Sequence, residues 1–169
     1  MKKLFLLVIL TVVLGNASYA QKEKYQSLFI YNFTKYIKWP DNYNAGKFVI
    51  GVIGNSEVMG ALSTMAESKK KTGTGQDLEV KKYASVSDIG ECNILFVSEN
   101  VVGNLEQIES LTASKPILIV SDSPGMATKG AVINFVEQDG KIKFELNESQ
   151  ASKRRLVVSG SLTSLAIMI

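Results

Sequence analysis

The order of apolar and polar positions divides this chain into alternating strands and helices. Apolar residues at Tyr25, Phe29, Phe33, Tyr36 and Ile37 recur at spacings of three and four, which predicts a helix over residues 22–39. Trp39-Pro40 is expected to stop it, because the residue before proline avoids the α region. Phe48-Val-Ile-Gly-Val-Ile53 reads as a short buried strand, followed by a helix capped at Asn55 or Ser56 and running to about Lys69. A polar, glycine-containing loop spans Lys69 to Gly75. Strands are expected at Leu78 to Tyr83, Asn93 to Ser98 and Pro116 to Val120, with a helix near Val101 to Thr112. Residues 148–156 read as helical, and Leu162 to Ile167 as a terminal helix or a final apolar turn.

Residues 130–147 carry the sharpest local signal. Asp139-Gly140 is a two-residue turn of the kind that accepts positive φ at both central positions. Folding there places Phe135 opposite Phe144, Ile133 opposite Leu146, and Asn134 opposite Glu145. Ile133, Phe135, Ile142, Phe144 and Leu146 then share an apolar face, and Val132, Asn134, Val136, Lys143 and Glu145 the other. A carboxylate and an amide side by side suit either a contact site or a solvated face.

Continuous apolar strands alternating with helices predict an α/β layered fold. Its sheet is mostly parallel, with a C-terminal antiparallel hairpin and helices on both faces. The first twenty residues stand apart. Lys2-Lys3, an apolar run from Leu4 to Leu14, and Ser18-Tyr19-Ala20 form a secretory signal peptide with cleavage expected after Ala20. Residues 21–169 are then one mature domain, soluble and exported, with the periplasm as destination in a Gram-negative cell. Of the 19 basic residues two are Lys2 and Lys3, which leaves 17 against 16 acidic ones. That balance gives no electrostatic reason to expect nucleic acid.

Histidine is absent, which removes Ser-His and Cys-His nucleophile pairs and histidine metal sites. Neither a cofactor nor an enzymatic reaction is expected. The single cysteine, Cys92, precedes an apolar strand and reads as a buried thiol, with an intermolecular bridge or redox sensing as the alternative. Two turns after strands are candidate ligand positions. One is Gly51-Val-Ile-Gly54, which lacks the full dinucleotide spacing, and the other is Ser121-Asp122-Ser123-Pro124-Gly125. Tyr31 and Trp39 fall off the main aromatic stripe of the first helix and are expected to line a cleft or partner surface. Lys69 to Lys71, Lys81-Lys82 and Lys153-Arg154-Arg155 read as solvated faces or as contacts with an acidic partner or anionic headgroups.

In this order the chain resembles the YfiR-like (HmsC-like) family. The resemblance rests on Tyr31-Asn-Phe-Thr-Lys-Tyr-Ile-Lys-Trp-Pro40, Phe48-Val-Ile-Gly-Val-Ile-Gly54 and Cys92-Asn-Ile-Leu-Phe-Val-Ser98. It continues through Val120-Ser-Asp122, Gly130-Ala-Val-Ile-Asn-Phe-Val136, Lys143-Phe-Glu-Leu-Asn147 and Val158-Ser-Gly-Ser-Leu162. It implies a non-enzymatic periplasmic regulator, often dimeric, that restrains the periplasmic domain of a membrane diguanylate cyclase or sensor kinase. Through such a partner it would govern cyclic-di-GMP and biofilm formation. It also marks Glu145 and Asn147 as contact positions beside Asn134, Tyr31, Trp39 and Asp122. Family members that sense redox state use cysteine pairs, and Cys92 has no partner here. The alternative is a periplasmic small-molecule-binding module presenting solute to a transporter or receptor.

Overall fold

The computed structural model describes residues 21–169. The expected leader lies outside the described residues. Helix α1 is described from residue 21 to residue 36 and leads into the two-residue strand β1 (Ile37–Lys38). Then come β2 (Phe48–Ile53), α2 (Val58–Lys69), β3 (Leu78–Tyr83) and β4 (Ile94–Val97). A 3-10 stretch, Glu99–Asn104, enters α3 (Leu105–Thr112), followed by β5 (Leu118–Ser121) and a 3-10 turn, Met126–Lys129. The hairpin is β6 (Ile133–Gln138) and β7 (Lys141–Leu146). The chain closes with α4 (Glu148–Lys153), β8 (Val157–Val158), α5 (Gly160–Thr163) and β9 (Ile167–Met168).

Seven strands form one sheet in the order β3-β2-β4-β5-β6-β7-β9. The pairs from β3 through β6 are parallel, β6 with β7 is antiparallel, and β9 runs parallel to β7. Both faces of the central strands are apolar because both are covered. Ile94 and Phe96 of β4 join a cluster with Ile30 and Phe33 of α1 and Val58 and Leu62 of α2. Leu95 and Val97 point the other way, to Leu105 and Ile108 of α3. Gly51 in β2 is a packing residue, since a Cβ there would strike the Tyr83 ring and approach the Leu95 side chain. No helix of the described residues is long and apolar enough to cross a membrane.

The hairpin has the expected register, with Phe135 opposite Phe144, Ile133 opposite Leu146 and Asn134 opposite Glu145. Its turn takes positive φ at Asp139 and Gly140, 55° and 67°. Val132 departs from the expected polar face. It lies just before β6, is fully buried, and belongs to the cluster beneath α1. The first helix ends at residue 36 rather than Trp39, because Ile37 and Lys38 pair antiparallel with Val158 and Val157. The backbone carbonyl of Tyr36 accepts from Ser159 N–H at 2.9 Å, which fixes that exit. The C-terminal apolar run is neither a helix nor a loose turn throughout: Ile167 and Met168 extend the sheet beside Glu145 and Leu146.

Candidate functional site

Asn134 sits in the middle of a row that crosses the sheet: Val97, Ser121, Asn134, Glu145 and Ile167 are successive register partners. The Asn134 side chain is fully buried, so it is not the exposed contact expected from alternation alone. Its Nδ2 donates to Glu145 Oε2 at 2.9 Å. Its Oδ1 is sealed without a hydrogen-bond partner among the described residues. Glu145 is half-buried and keeps solvent access. The amide therefore holds a carboxylate in one orientation, and the carboxylate presents the remaining acceptor positions outward. Ser121 Oγ, next in the row, donates to the Val97 carbonyl at 3.3 Å and accepts from Ser123 N–H.

Asp122 belongs to the opposite layer. Side chains alternate along a strand, so Asp122 faces α1 while Ser121 faces α3. Lys22 Nζ lies 3.1 Å from Asp122 Oδ2, and Gln26 Nε2 donates to the same oxygen at 3.2 Å. These contacts tie the start of α1 to the carboxyl end of β5. Beside them, Gln21, Lys22, Tyr25, Phe29, Glu137 and Ile142 help line a cleft of about 550 Å³ between α1 and the hairpin. A smaller recess of about 300 Å³ shares Lys22, Glu137 and Ile142 and reaches Asp122, Pro124 and Phe135. No sequence pattern points to this groove, because it exists only where α1 lies on the hairpin.

The other candidates have structural tasks. Trp39 is a core residue and not part of a surface. Its ring meets Phe48 edge-on at 4.9 Å, and Nε1 donates to the Asn93 carbonyl at 3.3 Å. Asn147 caps α4, its Oδ1 accepting from Gln150 N–H at 3.0 Å, while Nδ2 donates to the Ala127 carbonyl at 2.9 Å. Tyr31 is half-buried, with the Lys35 and Lys69 ammonium groups 4.7 and 5.3 Å from its ring centroid. The turn at Gly54 is filled from within: Asn100 Oδ1 accepts from Asn55 N–H at 3.0 Å where an anion would have to sit. Asn134 and Glu145 thus stand together, Asp122 stands behind them through the sheet, and Tyr31 and Trp39 lie elsewhere. Among the described residues, no group of three or more His, Cys, Asp or Glu is placed to hold a metal.

Cys92 is buried, and burial pushes its thiol up to about 12. Burial likewise raises the neighbouring Tyr83 hydroxyl to about 12. A thiol held neutral is a poor nucleophile. Native protein at pH 8 should resist iodoacetamide, and urea-unfolded protein should be alkylated at once. Fast labelling of the native form would show an open thiol. Both groups bind their protons more tightly when folded. The stability they contribute is therefore full below their ordinary values and is lost as pH climbs from there toward about 12.

Two solved structures share the fold. One is the ABC domain in complex with L-Trp from Streptococcus pneumonia (TM-score 0.50, 14% identity, 72% of this chain and 54% of that one). The other is a conserved domain protein from Vibrio cholerae O1 biovar eltor (TM-score 0.54, 11% identity, 71% and 54%). This chain thus spans about half the length of each. No curated protein matches it. A sequence model of the family described as DUF4154, YfiR/HmsC-like, matches residues 23–167. With nearly the whole described chain inside that match, the protein belongs to the YfiR/HmsC-like family.

Proposed function

We propose that this protein is a non-enzymatic signalling regulator, exported by the leader in residues 1–20 and working in the periplasm as the domain of residues 21–169. It binds and restrains the periplasmic domain of an inner-membrane partner, a diguanylate cyclase or a sensor kinase. Membership of the YfiR/HmsC-like family supports this class of function. The observation that carries the site is the Asn134–Glu145 pair, a solvent-reaching carboxylate fixed by an amide that has no other visible task. Leu165 and Ile169 are exposed on either side of β9, whose Ile167 is the register partner of Glu145. An acceptor of fixed direction near apolar surface suits a basic side chain of a protein partner.

Glu145→Ala leaves the buried Asn134 Nδ2 without its acceptor and should cost about 1–3 kcal/mol of stability while the fold is kept, which circular dichroism checks. Capture of the partner's periplasmic domain in a pull-down should fall about tenfold or more, as when one member of an interfacial charge pair is truncated. Capture equal to that of the unaltered protein would remove Glu145 from the interface.

The second reading, a small-molecule-binding module, is favoured by the groove between α1 and the hairpin. Its floor is apolar at Phe29 and Ile142, and its rim carries Lys22, Asp122 and Glu137 of both signs. A metabolite that binds there raises the melting temperature in a thermal-shift screen, because binding to the native state alone stabilises it. Asp122→Asn should then abolish the shift and Glu145→Ala should not.

A further inference from the structure

The exposed residues of α1 fall on one arc. Gln21, Lys24, Tyr25, Leu28, Lys35 and Tyr36 are all exposed, and at 3.6 residues per turn they cover about a third of the helix circumference. No carboxylate lies on that arc. Glu23, the sole acidic residue in described α1, projects from the other side, and Lys22 is turned toward Asp122. Among the described residues, neither Lys24 nor Lys35 lies within salt-bridge distance of an acid. Lys35 and the nearby Lys69 rest over the Tyr31 ring instead. At the helix exit the pattern continues in a second element, where exposed Lys38 is the register partner of exposed Val157.

We propose that this face of α1 docks on an anionic lipid bilayer. Charge complementarity and shape both favour this. Lysines interleaved with tyrosines and leucine are the side chains that settle at a membrane–water interface. Tyrosine places an apolar ring and a polar tip at headgroup level, and lysine keeps its ammonium at the phosphates. The face is a convex ridge about 24 Å long. Gln21 and Tyr25 at its start edge the cleft toward the hairpin, and lipid headgroups can rearrange around the convex remainder. The inner side of α1 is committed to the core through Ile30 and Phe33, so binding is peripheral and shallow. This inference goes beyond the partner reading and needs no partner. It would hold the protein in the plane where a membrane receptor presents itself.

The test is co-sedimentation of protein purified from the exported fraction with vesicles of phosphatidylglycerol in phosphatidylcholine, and with phosphatidylcholine alone. Binding is expected to the anionic vesicles only and should weaken as salt is raised. K24E/K35E alters two exposed positions, so folding should stand and is checked by circular dichroism. It should lower binding about tenfold or more. K129E, an exposed change beside the α3-side cluster, should leave binding unaltered and so separates a local face from net charge. Leu28→Ser should weaken binding without changing its salt dependence. Failure to bind anionic vesicles, equal binding to both vesicle types, or equal losses for K35E and K129E would each overturn the proposal. Lost capture of a protein partner by K24E/K35E, with no vesicle binding by the unaltered chain, would assign the face to an acidic protein surface instead. Glu145→Ala should bind vesicles normally, so the two proposals fail separately.

Discussion

Phe144→Ala should destabilise the fold by about 3–5 kcal/mol, the usual cost of emptying an aromatic site in a core. Phe144 is 1% exposed and lies where α1 meets the hairpin. Its ring stands edge-on to Phe29 and Phe33, with centroids 5.6 and 5.5 Å away, and Phe135 completes the group at 6.0 and 6.1 Å from the same two rings. Truncation loses buried area, leaves a cavity, and removes two aromatic pairs worth about 0.5–1.5 kcal/mol each beyond their area. Against a total stability of about 5–15 kcal/mol, that is a large share. Urea denaturation would give the value, and hydrogen exchange should show α1 amides losing protection first. A change below about 1 kcal/mol would mean that the four rings are not packed as described.

Asn134→Asp should be nearly as costly, by a different route and with a pH signature. The substitution keeps shape but replaces the amide donor with a second carboxyl, fully buried and facing Glu145. Two carboxylates at hydrogen-bond distance cannot both ionise, so the new group's folded pKa is raised by burial and by its neighbour. The sign follows. The variant's stability is retained below the unfolded carboxyl value of about 4 and is lost as pH rises through the folded value. At neutral pH the loss should be about 3–5 kcal/mol, as for a buried charge left without its partner. Adding Glu145→Gln supplies a donor again and should restore much of the loss, which a double-mutant cycle measures. If Asn134→Asp melts like the unaltered protein across the pH range, the amide does not hold the carboxylate.

The turn and register of the hairpin were legible because their information is local. Asp139-Gly140 fixes the turn, and period two then fixes every partner from Ile133 to Leu146. The strands β2, β4 and β5 were legible for a related reason, since a run buried on both faces is apolar throughout, and the edge strand β3 was legible by its mixed apolar and polar positions. The three two-residue strands were not. Ile37 and Lys38 have no strand signal of their own and become one by meeting Val158 and Val157, more than a hundred residues away. The same holds for Ile167 beside Glu145. For the candidate site, sequence alone placed Asn134 next to Glu145 but could not tell that Asn134 is sealed, because burial depends on what packs above it. Trp39 and Asn147 show the same limit. A tryptophan off the helical stripe found its place in the core, and an asparagine in a polar run found its role as a helix cap.

Ser121 and Asp122 are neighbours in the chain that face opposite layers of the sheet, one in the row of Glu145 and the other at the groove beneath α1. An occupant of the groove and a partner at Glu145 therefore have no steric reason to exclude each other. Any influence between them has to pass through the strands as a coupling free energy, and such coupling is reciprocal. A small molecule that loosened the partner's hold by some factor would itself be held more weakly by that factor whenever the partner is bound. Measuring either affinity with and without the other occupant gives the same number, and that number would say whether this sheet merely separates its two faces or transmits between them.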